Sequence, residues 1–232
     1  MKTRGYDHPE ILDKTSAAMR KIVEGGVIFE RDSVLLSKPE YPWPLIACLL
    51  HEAQKKGGLL SVLDFGGALG SSYYQCRPFF GGVSELNWMV VEQKHYVEVG
   101  RRELSNSPVS FYENVLQACE TRKPNVLLLS SVLAYLPEPY CTFADLLRLK
   151  IPTVLVDRTP FLESDRDRLT IQVVPPEIYQ ASYPAWFFSR TRLLRMCVEH
   201  GYIQRGDWHT LDSVYLDGEK ANWSGLWLEK ND

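Results

Sequence analysis

Short apolar runs of strand length alternate along this chain with stretches whose apolar residues recur at helical spacing. Pro9 to Val23 carries Ile11, Leu12, Thr15, Met19 and Ile22 on one face and stops at Gly25-Gly26, which predicts an N-terminal helix. Tyr41-Pro42-Trp43-Pro44 opens a second helix over Leu45 to Lys56, with Ile46, Leu49, Leu50 and Ala53 as its apolar stripe and Gly57-Gly58 as its stop. Beyond it Leu59 to Leu63, Trp88 to Val91, Val109 to Tyr112, Asn125 to Ser130 and Thr153 to Val156 read as strands. Helical stretches lie among and after them: Tyr96 to Leu104, one closing at Leu146 to Leu149, and Arg190 to His200 before Gly201. Gln204 to Trp208, Ser213 to Leu216 and Gly225 to Leu228 are the last strands. Such alternation is the pattern of a parallel α/β sheet. It divides the chain into an N-terminal helical extension over 1–57 and a sheet domain over 58–232, with no internal repeat.

In an open α/β sheet, ligands bind beyond the carboxyl ends of the strands, so Asp64, Glu92, Glu113-Asn114, Ser130-Ser131 and Asp157-Arg158 should face one crevice. The first strand runs directly into Asp64-Phe65-Gly66-Gly67-Ala68-Leu69-Gly70, whose glycines permit positive φ and close approach of backbone to a ligand. The second strand ends in Glu92, where an acid can take both hydroxyls of a ribose. Strand, glycine turn, helix, strand and acid in this order form a nucleotide-cofactor layout. The turn departs from the dinucleotide pattern G-x-G-x-x-G, and an acid two residues before its first glycine would repel a pyrophosphate. Asp64 suits a hydrogen-bond donor instead, such as the amino group of a methionyl moiety, or else caps the turn that follows. This disfavours a nicotinamide oxidoreductase.

Leu63-Asp64-Phe65-Gly66-Gly67-Ala68-Leu69-Gly70 resembles the first motif of class I S-adenosylmethionine-dependent methyltransferases, and Val91-Glu92 resembles their ribose-binding acid. Val154-Leu155-Val156-Asp157-Arg158-Thr159-Pro160-Phe161 and Tyr179-Gln180-Ala181-Ser182-Tyr183-Pro184-Ala185-Trp186 are similar to a bacterial group of methyltransferases associated with surface-polysaccharide biosynthesis. The resemblance covers the chain from about Tyr41 to its end and departs at Ala68, where many class I enzymes carry a second glycine. It implies a Rossmann-like class I methyltransferase fold: a mostly parallel seven-stranded sheet with helices on both faces and the N-terminal helical extension. It implies S-adenosyl-L-methionine as cofactor, held by Asp64, Gly66, Gly67, Gly70 and Glu92. Either Glu113 or Asn114 then meets the adenine, and Ser130 and Ser131 either contact the cofactor or satisfy backbone groups.

Methyl transfer to a hydroxyl needs alignment and a proton acceptor. His209, in Asp207-Trp208-His209-Thr210, and Asp157 are the two candidates, with Arg158 orienting the acceptor. The aromatic and proline-rich stretch Gln172 to Phe188 reads as an acceptor-side lid, an insertion over 162–188 in which Tyr179, Tyr183 and Trp186 stack on a sugar ring or a flat acceptor. Arg166-Asp167-Arg168 reads as a solvated charged run. The resemblance implies a glycan or sugar-nucleotide acceptor; a small aromatic metabolite would suit the aromatic lid equally well, and a partner subunit that binds cofactor without catalysis is the reading from another class.

Composition narrows the alternatives. The 232 residues are 45% hydrophobic, enough for one sizeable core. A formal charge of -3 gives no electrostatic footprint for nucleic acid. The five cysteines form no C-x-x-C pair, so neither a zinc site nor a disulfide framework is expected, which fits a reducing cytoplasm; no acids cluster at ligand spacing, so no other metal centre is expected. No apolar run has the length of an integral membrane segment.

Overall fold

The computed structural model describes residues 9–23, 29–31, 34–36, 40–104, 108–174 and 181–231. Helix α1 (Pro9–Val23) precedes a small antiparallel pair, β1 (Phe29–Arg31) and β2 (Val34–Leu36). Helix α2 (Trp43–Lys55) then leads into β3 (Leu59–Phe65), α3 (Ser71–Cys76), β4 (Glu85–Val91), α4 (Lys94–Glu103), β5 (Val109–Tyr112), α5 (Val115–Thr121), β6 (Val126–Ser130) and α6 (Pro139–Leu147). The remainder is β7 (Thr153–Leu162), β8 (Arg168–Val173), β9 (Ser182–Ser189), α7 (Arg190–Glu199), β10 (Tyr202–Leu216) and β11 (Glu219–Lys230).

The sheet is mixed and has nine strands, in the order β10-β11-β7-β6-β3-β4-β5, with β9 pairing β7 and β8 pairing β9. This corrects the expectation of a mostly parallel seven-stranded sheet. The segment β5-β4-β3-β6-β7 is parallel as expected. The expected strands Gln204 to Trp208 and Ser213 to Leu216 are one long strand, β10, which returns as β11 through Asp217 (φ +50) and Gly218 (φ +89). Two positive φ values in a two-residue loop are the turn geometry that suits the twist of an antiparallel hairpin, and Asp-Gly is a preferred sequence for it. Strands β8 and β9 form a second antiparallel hairpin over most of the stretch expected to be a lid.

Strand alternation divides the core into two layers. Leu60 and Val62 of β3, Trp88 and Val90 of β4, and Val126 and Leu128 of β6 face Met19 and Ile22 of α1, Leu45 and Leu49 of α2, and Tyr73 of α3. Leu63, Met89, Val91, Leu127 and Leu129 face the other way, onto Ala118 of α5, Phe143 and Leu146 of α6, and Leu193 of α7. Each such fully buried aliphatic side chain contributes about 1.5–3 kcal/mol. The α2 helix, counted from sequence with the extension, therefore packs in the same core as the sheet. Asn125 fixes the edge of this core: its Oδ1 accepts from the Ser61 amide at 2.8 Å and its Nδ2 donates to the Leu59 carbonyl at 3.0 Å.

The parallel register sets the strand ends level. Phe65 pairs with Val91, Val91 with Tyr112, and Ser130 with Asp157. From β3 the chain steps outward to β4 and β5, then returns to the other side as β6 and β7. The reversal between β3 and β6 opens a crevice at the carboxyl edge.

Candidate functional site

A cavity of about 670 Å³ occupies that crevice, within the range of small-molecule sites. Its floor is Phe65 and Gly66 after β3 and Val91, Glu92 and Gln93 after β4; Glu113 lies on one side and Ser131, Val132 and Tyr135 on the other. Tyr183 and Trp186 of β9 complete the wall, together with Leu136, Pro137, Leu169 and Pro184.

The glycine turn is required by its surroundings. Gly66 has φ +74 and donates its N–H to the Val91 carbonyl at 2.9 Å; a Cβ there would stand 2.2 Å from Val132 Cγ2. A Cβ on Gly67 would lie 2.4 Å from Asp64 Cγ, so the turn presses directly on the carboxyl. Gly70 (φ +86) precedes α3, and its N–H closes the turn onto the Gly67 carbonyl at 2.8 Å. Ala68, at the position where the resemblance would have a glycine, also takes a left-handed conformation (φ +50).

Asp64 lies beneath this turn, 0% exposed, and does not line the cavity. Trp88 Nε1 donates to its Oδ2 at 2.9 Å, while Oδ1 is buried without a hydrogen-bond partner. Burial pushes its pKa from 3.8 up to about 7; the Trp88 hydrogen bond opposes the shift, the Glu92 charge adds to it and the Arg158 charge opposes it. Glu92 does reach the cavity, and its Oε2 accepts from the Gln93 amide at 2.6 Å, which holds the carboxylate at the end of β4.

The two candidates after β5 separate. Glu113 is exposed and lines the cavity, whereas Asn114 is the N-cap of α5, its Oδ1 accepting from the Leu116 and Gln117 amides at 2.7 and 3.4 Å. Ser130 and Ser131 separate likewise. Ser131 (φ +57) lines the wall, while Ser130 lies behind it and donates its hydroxyl to Asp157 Oδ2 at 2.9 Å.

Asp157, 3% exposed, also accepts from Trp208 Nε1 at 3.0 Å, so both of its oxygens are engaged. His209 Nδ1 is 3.0 Å from Ser224 Oγ, across the β10–β11 pair. Neither Asp157 nor His209 lines the large cavity. Arg158 (φ +46) opens onto a second cavity of about 320 Å³ that shares Ser131 and Tyr135 with the first. Tyr183 packs edge-on against Tyr135 at 5.4 Å, and Trp186 stands beside it on the wall; Tyr179 lies outside the described residues. The apolar wall residues Val132, Leu136, Pro137 and Leu169 carry no chemical signal in the sequence.

The residues around the large cavity suit S-adenosylmethionine. The side-chain-free Gly66 leaves the backbone open to the ligand, Glu92 offers a carboxylate to ribose hydroxyls, and apolar side chains between them suit a thioether stem and a flat base. Among the described residues, no helix is long and apolar enough to cross a membrane.

No protein-family profile matches the chain, and no curated protein matches it in sequence. Solved structures do match in fold. The N-terminal domain of EvdMO1, crystallised in the presence of SAH and D-fucose, superposes with a TM-score of 0.56 at 12% identity, covering 100% of both chains. The glycopeptide N-methyltransferase MtfA complexed with sinefungin gives 0.51 at 9% identity over 80% of this chain and 93% of that one. Magnesium protoporphyrin IX methyltransferase (ChlM) from Synechocystis PCC 6803, with bound SAH, gives 0.51 at 11% identity, covering 81% and 82%. With its crevice at the switch point between β3 and β6, this chain has the α/β fold shared by S-adenosylmethionine-dependent methyltransferases.

Proposed function

We propose that this protein is an S-adenosylmethionine-dependent methyltransferase acting on an oxygen of a glycan or sugar-nucleotide acceptor in the cytoplasm. The observation that carries the cofactor half is the convergence of the glycine turn and Glu92 on one cavity at the topological switch point. The acceptor half is supported by the resemblance of 154–161 and 179–186 to surface-polysaccharide methyltransferases, and by a fold neighbour crystallised in the presence of D-fucose. A small aromatic acceptor is the second reading, favoured by the aromatic wall of Tyr135, Tyr183 and Trp186.

Bound cofactor would supply a methyl group already activated on a sulfonium, so the protein's task is placement. Glu92 would hold the ribose hydroxyls, Glu113 would lie beside the base, and the Gly66-Gly67 backbone would carry the methionyl end. Asp157 acts here as a positioning residue: its engaged oxygens tie Ser130 and Trp208 together at the foot of Arg158, 3.7 Å away. His209, bonded to Ser224, braces the β10–β11 hairpin behind the acceptor side.

Glu92→Ala is expected to weaken S-adenosylhomocysteine binding by ~1.5–3 kcal/mol, the worth of a charged hydrogen bond, or roughly 10- to 150-fold. Isothermal titration of the variant measures this directly, and an unchanged dissociation constant would remove the ribose assignment.

A further inference from the structure

The antiparallel part of the sheet is irregular at three places, and two of these irregularities border the smaller cavity. In the β7–β11 pair, Asp157 and Arg158 stand opposite Gly225 alone, since Thr159 pairs with Ser224 and Val156 with Leu226. In the β10–β11 pair, residues 210–212 stand opposite Trp223 alone, since His209 pairs with Ser224 and Ser213 with Asn222. Bulges of this kind re-aim side chains and accompany functional sites. Here the first turns Arg158, at φ +46, onto the cavity, and the second delivers Asp212 and Ser213. The second bulge is held by Thr210, whose hydroxyl donates to the Trp223 carbonyl at 3.0 Å and accepts from the Asp212 amide at 3.4 Å.

The wall so made is polar, and its one cation is offset by acid. Arg158 donates through Nε to Ser130 Oγ at 3.3 Å and has Asp157 3.7 Å away, while Asp212 lies on the same cavity. A lone cation would draw an anion; a guanidinium offset by two carboxylates does not. Arg158, Asp212, Ser213 and Gln172 together present both donors and acceptors, which is what hydroxyl groups need, each being donor and acceptor at once. Trp223 supplies an aromatic ring fixed by its edge-on contact with Phe187 at 5.5 Å. The cavity adjoins the larger one across Ser131 and Tyr135, and the Tyr135 hydroxyl donates to Gln172 Oε1 at 3.1 Å.

We propose that this smaller cavity is the acceptor subsite and takes a neutral, hydroxyl-rich ring of pyranose size, stacked on Trp223 and held by Arg158, Asp212 and Gln172. The ring's reacting hydroxyl then points past Ser131 and Tyr135 into the larger cavity. The inference rests on the methyl-transfer reading for its role as an acceptor site, but the sugar-binding chemistry belongs to these residues alone.

The test is saturation-transfer-difference NMR on the full chain with the methyl glycosides of glucose, mannose and rhamnose, against glucuronate and glucose 6-phosphate. Ser213→Phe fills the cavity from an exposed strand position, and Ser213→Ala is the folding control. At least one neutral glycoside is expected to give ring-proton saturation in the wild type and in Ser213→Ala, falling at least tenfold in Ser213→Phe and several-fold in Asp212→Asn. S-adenosylhomocysteine affinity is expected to stay within twofold in all three variants. Equal saturation in Ser213→Phe, or preference for the two anions, would overturn the proposal. Normal S-adenosylhomocysteine binding with no glycoside signal would overturn it too and leave the cofactor reading standing. A glycoside signal sensitive to Ser213→Phe, with no S-adenosylhomocysteine binding, would keep the sugar site and remove methyl transfer.

Discussion

Gly66→Ala is expected to destabilise the protein by about 3 kcal/mol and to weaken S-adenosylhomocysteine binding more than tenfold. Two costs add. A left-handed backbone at a residue with a Cβ costs roughly 1–2 kcal/mol, and the new methyl, placed 2.2 Å from Val132 Cγ2, forces an overpacking shift worth about 1–3 kcal/mol. Val132 lines the cavity, so any movement that relieves the clash reshapes the site. The double variant Gly66→Ala/Val132→Ala separates the two costs: it should recover the steric part and retain the backbone part. Denaturant melts of the three proteins measure both, and a Gly66→Ala variant as stable as the wild type would mean that the turn is not held as described.

Asp64→Asn is expected to remove a pH dependence of stability. The folded carboxyl has a pKa raised to about 7 by burial, against an ordinary value of 3.8. A raised carboxyl pKa means that the folded state holds its proton more tightly. The contribution is therefore complete below about pH 4, falls as pH rises from 4 to 7, and is lost above 7. At about 1.4 kcal/mol per unit, the change is on the order of 4 kcal/mol. Asparagine keeps an oxygen for Trp88 Nε1 and carries no charge, so the stability difference between variant and wild type should shift toward the variant by that amount between pH 4 and pH 8. Parallel pH profiles for the two proteins would show that burial does not raise the Asp64 pKa in the folded state.

The parallel half of the fold was legible because β3, β4 and β6 are apolar runs bounded by polar or glycine residues, and burial on both faces leaves that signature in sequence. Glu92 and Glu113 were legible by position, since an acid at a strand end faces the crevice wherever register sets those ends level. Asn114 is the N-cap of α5, a seven-residue helix too short to leave a clear apolar period in sequence, so its capping role depends on an element the pattern does not show.

The β8–β9 hairpin was hidden for a physical reason. Leu169, Ile171 and Val173 alternate as β-strand residues should, but they are 55%, 61% and 62% exposed, so the strand's apolar face is not its buried face. Asp167 misled in the opposite sense. It sits between two arginines in sequence, yet its Oδ1 accepts from the Ser189 amide at 2.7 Å and the Tyr140 hydroxyl at 2.8 Å, and Arg192 pairs with it. None of these partners lies in the local window. The same holds for Asp157, whose engagement by Ser130 and Trp208 depends on β6, paired with β7 on one side, and β10, one strand beyond β11 on the other.

Isothermal titration of the purified full chain with S-adenosylmethionine and S-adenosylhomocysteine, with NAD in parallel, tests the central claim most directly. Micromolar binding of the first two, weakened more than tenfold by Gly66→Ala and absent for NAD, is the predicted result. No binding of either sulfur compound would contradict the assignment of the crevice at the β3–β6 switch point as a methyl-donor site.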